Sequence, residues 1–562
     1  MITDKSSCNI LAEVLSAHGV RDAVVSPGSR NAPLILAFDS RKEIKLTVVA
    51  DERSAAFIAL GMAQASRRPV ALVCTSGSAL LNHAPAVAEA YYQGVPLIVV
   101  SADRPEQWID QDDSQTIRQF EALSNFVKRS YDIPDCIMPD DEHLWFANRI
   151  ANDACITATA GKPGPVHINV QLHAPLTRPG TQLPVQRIVE SVGGEDIISR
   201  EEAKRLAEEA FDKRILVVAG FMPPDSRLSK AMTAFASLPN VFILHETLAN
   251  LHINAGCTAV DTVVGSLDTN EKELLRPDIV ITFGGALVSR FVKQYLREYP
   301  PRNGHWAVGH GNTVVDCFKS LTLRVDTSAS GFFRRLGGAL RSMNPESDYR
   351  DRWAFAARGA MDSHDRYLAD IPWSDIKALQ IVFDRLPSGI NLQLSNGTPV
   401  RYAQLLQKKP PHAVFCNRGV SGIDGCTSTA AGASTAYRGL TLLISGDLSF
   451  SYDISALAFR ELPSSLRIIV MNNSGGAIFR FVGTTASLPH DTRERYFCAN
   501  PKLDLQKIAD AFGFGHMTAE NTNDMEKAMK WLLGDSDRPL ILEIRTSPED
   551  SAEALNRYFK RK

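Results

Sequence analysis

Short, unbroken apolar runs alternate with helix-period stretches along most of this 562-residue chain, and that rhythm limits the fold more than any other feature. In the first third the runs are Ala23–Ser26, Val70–Thr75 and Val95–Ser101. Each is too short for a helix and reads as a strand buried on both faces. Ser54–Ala65 carries helical spacing between them, and Ile10–His18 precedes the first. Strand, helix and parallel strand form a βαβ unit. A second block has runs at Ile215–Ala219, Val241–His245, Ile279–Phe283 and Trp306–Val308. A third has Ala413–Cys416, Leu440–Ser445, Leu466–Met471 and Pro539–Ile544.

Two stretches interrupt the rhythm. Residues 176–198 are rich in Pro, Gly, Gln and Thr. Residues 340–372 are polar and charged, with Asn344-Pro345 near their start, and are expected to form a linker or an exposed helix. The expected fold class is therefore α/β, with three doubly wound parallel-sheet domains at 1–180, 190–345 and 370–562. No short-period repeat or low-complexity tract competes with that reading.

Charge excludes some functions. Lys and Arg number 61 and Asp and Glu 63, a formal net charge of −2. That balance argues against a general nucleic-acid or membrane-surface binder, while local basic clusters remain available for small anions. The nine cysteines are scattered with no C-x-x-C pair, so neither a zinc site nor a disulfide framework is expected. The first residues carry no long apolar segment, and no apolar run reaches the ~18–20 residues of a membrane span. The expectation is a cytoplasmic protein without a membrane span or nucleic-acid partner.

Two strings in the third block carry chemistry. G-D-L-S occupies 446–449 and M-N-N-S-G-G occupies 471–476, each directly after an expected strand. Asp447 and Asn473 are thus 473 − 447 = 26 positions apart, at the carboxyl ends of parallel strands, where open α/β sheets bind ligands. A carboxylate and an amide oxygen there suit a hard divalent cation that also keeps phosphate oxygens as partners. Either string alone is also compatible with an ordinary strand-end turn.

In the first block Glu52 lies in V-V-A-D-E-R at 48–53, just after an apolar strand-like run and just before a helix. A carboxyl group there can sit in a dry crevice with a raised pKa. Taken alone it reads rather as a helix-start acid favoured by the macrodipole, and the strings at 446–476 in the same chain turn the reading toward chemistry. S-P-G-S-R at 26–30 places Ser29 and Arg30 at the end of the first strand, and A-D-R-P at 102–105 repeats this with Arg104. S-Q-T-I-R-Q at 114–119 adds Gln115 and Arg118. Arg290, Arg401 and Arg418 lie near strand ends or in glycine-rich turns. Single arginines are commonly solvated, but several after successive strands suit a ligand with several carboxylates. The small-residue segment 416–432 suits close backbone approach to a ligand, with Ile423 as a buried apolar wedge, or else a tightly packed helix start. Ile478 and Phe479, after the glycine pair, would wall the site.

Together these strings resemble the thiamine diphosphate-dependent enzymes. Within them they resemble the 2-succinyl-5-enolpyruvyl-6-hydroxy-3-cyclohexene-1-carboxylate synthases of menaquinone biosynthesis. The resemblance rests on S-P-G-S-R, D-E-R, T-S-G-S-A, A-D-R-P, Q-T-I-R-Q, N-R-G-V-S-G-I-D-G, G-D-L-S and N-N-S-G-G-A-I-F in that order. It spans the first and third blocks and is weak between about 190 and 340. It implies a transferase that decarboxylates 2-oxoglutarate on thiamine diphosphate and adds the succinyl carbanion equivalent to isochorismate.

By the same resemblance Glu52 activates the cofactor, Ile423 supports its bent form, and Gly446, Asp447, Leu448, Ser449, Asn473 and Gly475 bind it. Asp447, Asn473 and the Gly475 carbonyl would hold Mg²⁺, with Mn²⁺ as an alternative. Ser29, Arg30, Arg104, Gln115, Arg290, Arg401 and Arg418 would hold substrate, with Ile478 and Phe479 lining the pocket. A homodimer or homotetramer with sites at subunit interfaces is implied too. Three positions depart from the pattern: Gly397 stands for a Ser, Ser114 for an Asn, and Phe291 for the second member of a basic pair, where Lys293 could serve. The rival readings are another thiamine diphosphate 2-oxoacid decarboxylase or carboligase, and a non-catalytic binder on the same fold.

Overall fold

The computed structural model describes residues 2–138, 140–181, 183, 185–192, 196–311, 314–406, 413–481, 483–498 and 502–560. They form two compact units.

The first unit comprises Met1–Gly193, Asn417–Thr441 and Tyr452–Leu466. Its sheet contains β1 (Asp22–Val25), β2 (Lys45–Val48), β3 (Val70–Cys74), β4 (Leu97–Asp103), β5 (Ser130–Ile133) and β6 (Val166–Gln171), in the order β2-β1-β3-β4-β6-β5. All pairings are parallel. Strand alternation supplies both faces. Ala71 and Val73 join the core under the helices Ser6–Ala17 and Asp141–Thr159, while Val70, Leu72 and Cys74 face the core of Glu52–Ser66 and Ala84–Gln93.

The helices Glu52–Ser66 and Cys426–Ala436 cross closely in this unit. A Cβ on Gly61 would lie 1.9 Å from the Thr429 carbonyl oxygen, and one on Gly432 would lie 2.0 Å from that of Ile58. Much of the small-residue content of 416–432 thus serves a tightly packed helix.

The second unit comprises Gly194–Cys416, Leu442–Ser451 and Arg467–Lys562. One sheet has β7 (Ile215–Ala219), β8 (Val241–His245), β9 (Ile279–Phe283), β10 (Gly304–Val308) and β11 (Leu321–Val325), ordered β11-β10-β9-β7-β8. The other has β12 (Asn391–Leu394), β13 (Ala413–Cys416), β14 (Thr441–Gly446), β15 (Leu466–Asn472), β16 (Gly515–Ala519) and β17 (Leu540–Arg545), ordered β13-β12-β14-β15-β17-β16. The first and last sheets therefore share one strand order, 2-1-3-4-6-5. In each, the order reverses beside its third strand, which opens a crevice at the strands' carboxyl ends.

The α/β expectation holds, with three parallel sheets flanked by helices. The stretch expected to be a linker or exposed helix is instead a helix, Tyr349–Ala369, anchored on the middle sheet. Tyr349 and Trp353 are fully buried, and Trp353 stacks on Phe242 with ring centroids 5.1 Å apart. Its five buried positions, Tyr349, Trp353, Ala360, His364 and Leu368, are too sparse to show in a segment whose other face is charged. The other interruption, 176–198, holds no helix or strand among its described residues. Among the described residues no helix is long and apolar enough to cross a membrane.

Candidate active site

β14 delivers Asp447, the first residue of the helix Asp447–Tyr452 and only 3% exposed. The Gly475 N–H donates to its Oδ2 (2.7 Å) and the Leu448 N–H to its Oδ1 (2.8 Å). Gly475 can reach back because Ser474, Gly475 and Gly476 take φ values of 64°, 86° and 62°, a tight left-handed curl after β15. Burial raises the Asp447 carboxyl above its ordinary range, and the nearby Asp375 charge adds to the rise. Asn473 is also buried, and its Nδ2 donates to Asp375 Oδ2 (2.9 Å).

Asp375 was not singled out in the sequence. It opens the helix Asp375–Arg385, is fully buried, and takes a second hydrogen bond from Thr546 Oγ1 (2.5 Å). Its only sequence signal is a W-S-D start to a helix, 98 positions before its partner. By bonding the amide nitrogen, Asp375 leaves the amide oxygen of Asn473 as the group that can meet a cation.

Two neighbouring buried carboxyls with an oriented amide oxygen fit a divalent cation, because an uncompensated buried acid pair is costly. Among the described residues no cluster of three or more His, Cys, Asp or Glu side chains could hold a metal. A carboxylate–amide–carbonyl set lies outside that pattern. Gly446 N–H donates to Ser395 Oγ (3.2 Å), fixing the turn, and Ser449 is buried beside it in sequence. Ile478 and Phe479 lie half-buried in a short 3₁₀ turn, with Phe479 5.8 Å from the Phe497 ring.

In the first unit Glu52 is half-buried at the first position of its helix, where Asp51 caps by accepting from the Ser54 N–H (3.1 Å). That turn is pinned from the segment 452–455. Arg53 lies 4.9 Å over the Tyr452 ring and donates to its carbonyl (3.1 Å), and the hydroxyls of Ser54 and Ser455 meet at 2.8 Å. Asp453 holds the start of the neighbouring helix through the Ser428 N–H (2.7 Å) and hydroxyl (2.8 Å).

Ser29 and Arg30 follow β1, Arg104 follows β4, and Gln115 lies on the loop beyond it. Asn31, absent from the sequence reading, shapes the first turn. Its Nδ2 donates to the Ser26 carbonyl (2.8 Å), and its Oδ1 accepts from the Gly28 N–H (3.0 Å). Arg30 donates to the Leu172 carbonyl (2.8 Å), and burial, followed by the Arg104 charge, lowers its guanidinium pKa. Arg104 pairs with Asp113. Gln115 donates to the Ser76 carbonyl (3.2 Å). Gln119, another omission, is buried and joins Gly77, Ala102 and Asn169 at 2.9–3.0 Å. Arg118 is 84% exposed and paired with Asp110.

One expectation fails. Ile423 is not a buried wedge in this chain but 41% exposed, on the loop between β13 and the helix Cys426–Ala436. Arg418, on the same loop, is half-buried, and the next two N–H groups, of Gly419 and Val420, both donate to Glu89 at 2.6 Å. In the second unit Arg290 is exposed at the first position of the helix Arg290–Glu298, and Arg401 is half-buried in Thr398–Leu406.

Comparison with known proteins decides the family. The thiamine pyrophosphate enzyme N-terminal TPP binding domain matches residues 7–122, and the C-terminal TPP binding domain matches residues 396–544. The 2-succinyl-5-enolpyruvyl-6-hydroxy-3-cyclohexene-1-carboxylate synthase of Porphyromonas gingivalis is 39% identical over 99% of this chain and 97% of its own length. The chain belongs to this synthase family. Synthases of the same description from Christiangramia forsetii and Desulfotalea psychrophila are each 37% identical over 97% of this chain, covering 96% and 99% of their own lengths. The crystal structure of benzoylformate decarboxylase from Polynucleobacter necessarius shares the fold, with a TM-score of 0.72 at 16% identity, over 98% of this chain and 99% of that one.

The three departures of this synthase chain have structural settings. Gly397 has φ +95°, which side-chain-bearing residues rarely adopt, so a serine there would be strained although space is open. Ser114 is exposed. Phe291 packs on Phe559 with centroids 5.0 Å apart, and Lys293 donates to the Leu287 carbonyl (2.7 Å). The cation position is thus given to packing, and the lysine serves the loop.

Proposed function

We propose that this chain is a transferase that decarboxylates 2-oxoglutarate with thiamine diphosphate and adds the four-carbon succinyl unit to isochorismate. The addition is 1,4, and the product, 2-succinyl-5-enolpyruvyl-6-hydroxy-3-cyclohexene-1-carboxylate, feeds menaquinone biosynthesis. The observation that carries this is the 39% identity to a synthase of that description over 99% of the chain. Residues 1–180 would bind the pyrimidine, 370–562 the diphosphate, with 190–345 between them. Mg²⁺ or Mn²⁺, a cytoplasmic location and a homodimer or homotetramer with sites at subunit interfaces complete the reading.

Bound thiamine diphosphate would supply a nucleophilic carbon and an electron sink for loss of CO₂. The protein's own residues do the rest. Glu52 would hold a proton at the pyrimidine ring nitrogen and so favour the reactive tautomer. Asp447, the amide oxygen of Asn473 and the carbonyl of Gly475 would hold the metal, and Gly446, Leu448 and Ser449 would shape the turn that receives the diphosphate. Ser29, Arg30, Arg104 and Gln115 bind substrate carboxylates and hydroxyls from one side. Arg290, Arg401 and Arg418 bind from other turns, and Ile478 and Phe479 keep water away. Ile423 would support the bent form of the cofactor. Steady-state assay of CO₂ release tests the reading. 2-Oxoglutarate and isochorismate should be consumed together, and a chain that turns over a simple 2-oxoacid alone is a different decarboxylase or carboligase.

A further inference from the structure

The turn that follows β8 holds the two helices carrying Arg290 and Arg401. Glu246 is buried there with both carboxylate oxygens engaged. Its Oε2 accepts from the Val288 N–H (2.8 Å) and its Oε1 from the Ser289 N–H (2.6 Å). Arg290 is the next residue and begins its helix. Ser289 caps that helix by accepting from the Val292 N–H (3.1 Å), and its hydroxyl donates to the buried Asp261 carboxylate. The adjoining residue, Thr247, reaches the other helix. Its N–H donates to Oε1 of the buried Gln404 (2.7 Å) and its hydroxyl to the Ala403 carbonyl (3.4 Å), three and two residues past Arg401. Asn250 closes the turn against β13, exchanging hydrogen bonds with Val414 at 2.8 and 2.9 Å.

A carboxylate buried in this way is costly unless its shape is needed. No ion pair to Glu246 is found among the described residues. Asp261 and Lys293 are the charged groups that act on it, in opposite senses, and Arg401 acts on Asp261. Two backbone N–H groups that point the same way demand a two-oxygen acceptor, which glutamate provides and glutamine does not.

We infer that Glu246 is a positioning residue that, with Thr247 and Gln404, sets the relative placement of Arg290 and Arg401 for the substrate carboxylates. The inference rests on the reading of those arginines as substrate-binding residues. Glu246 itself touches no reacting atom. Replacing it with glutamine keeps its size but sets an NH₂ against one of the two N–H donors, so the loop before Arg290 must turn. The metal ligands, in another sheet of the same unit, keep their own contacts.

The test is steady-state kinetics with thiamine diphosphate and Mg²⁺ on Glu246→Gln, Arg290→Ala, Arg401→Ala and the double variant Glu246→Gln/Arg290→Ala. The expected result is a KM about tenfold higher in Glu246→Gln for the substrate whose KM responds to Arg290→Ala, with kcat changed less than about threefold. Calorimetric affinity for the cofactor should stay within about twofold, and the double variant should match Arg290→Ala alone rather than multiply the two effects. Gln404→Leu provides a second arm and should raise the KM that responds to Arg401→Ala. If the arginine variants raise KM while Glu246→Gln and Gln404→Leu do not, the inference is overturned and the substrate reading stands. If the arginine variants leave both KM values unchanged, both fall. Fully multiplicative effects in the double variant, or a loss of cofactor affinity with KM intact, would mark Glu246 as merely structural and overturn the inference.

Discussion

Glu52 and Asp447 differ in what surrounds them, and their predicted roles differ accordingly. Glu52 sits half-exposed at the start of a helix whose first turn is pinned by Tyr452 and Ser455. Glu52→Gln should keep the fold and the calorimetric affinity for thiamine diphosphate, yet lower kcat by about 10²–10⁴-fold. Wild-type turnover in that variant would remove its assigned role. Asp447 is buried and held by two N–H groups, and Asn473 depends on Asp375 for its orientation. Asp375→Ala should therefore weaken Mg²⁺-dependent cofactor binding by about 10–100-fold, although Asp375 is not itself assigned as a ligand. An unchanged metal titration would refute that dependence. At this scale the metal strings were legible because their residues sit at strand ends in a glycine-rich setting. Asp375, Asn31 and Gln119 were not, because a buried polar side chain that orients others leaves no local pattern. Ile423 misled for a related reason: an apolar residue among small ones suggests burial, yet it stands on a loop.

The strands that were legible are those with unbroken apolar runs, such as β3 and β7, buried along their whole length. β2 and β5 escaped notice because edge strands alternate, and β6 because half its residues are polar. In β6 those polar residues face inward: His167 meets Ser101 Oγ at 2.8 Å, and Asn169 donates to Asp103 (3.0 Å) and Asp132 (2.9 Å).

That arrangement has a consequence for pH. Burial lowers His167 to about 4 and His83 to about 3. Both ring nitrogens of His83 lack a hydrogen-bond partner among the described residues. A base whose folded pKa lies below its unfolded value, about 6.5, supports stability above that pH and loses it as pH falls through the folded pKa. Asp103, raised to about 6 chiefly by burial, acts in the opposite sense and loses its contribution as pH rises through 6. The urea midpoint of the wild-type chain should thus fall more steeply between about pH 6.5 and 4 than that of His83→Leu. Parallel slopes would contradict this. The crossing at Gly61 and Gly432 belongs to the same scale. Gly432→Val places side-chain atoms where the Ile58 carbonyl lies and should cost more than about 2 kcal/mol in denaturant unfolding. A loss below about 0.5 kcal/mol would show that the helices can part without cost.

Along the chain, two sheets with one strand order come before and after a third of different order. The rhythm of runs was enough to foresee three parallel sheets, because buried parallel strands leave the plainest trace in a sequence. It could not reveal that 417–441 and 452–466 group with the first unit, since that grouping arises from helix packing rather than from chain order. The residues assigned to cofactor and substrate are spread over both units, and the family reading completes each site with a second copy. Sedimentation of the purified chain should accordingly show a species of at least twice the chain mass.

The central claim is the reaction itself. Purified protein supplied with thiamine diphosphate and Mg²⁺ should release CO₂ from 2-oxoglutarate and consume isochorismate in equal amounts, forming the succinyl adduct. Efficient turnover of pyruvate with no use of 2-oxoglutarate would contradict the account.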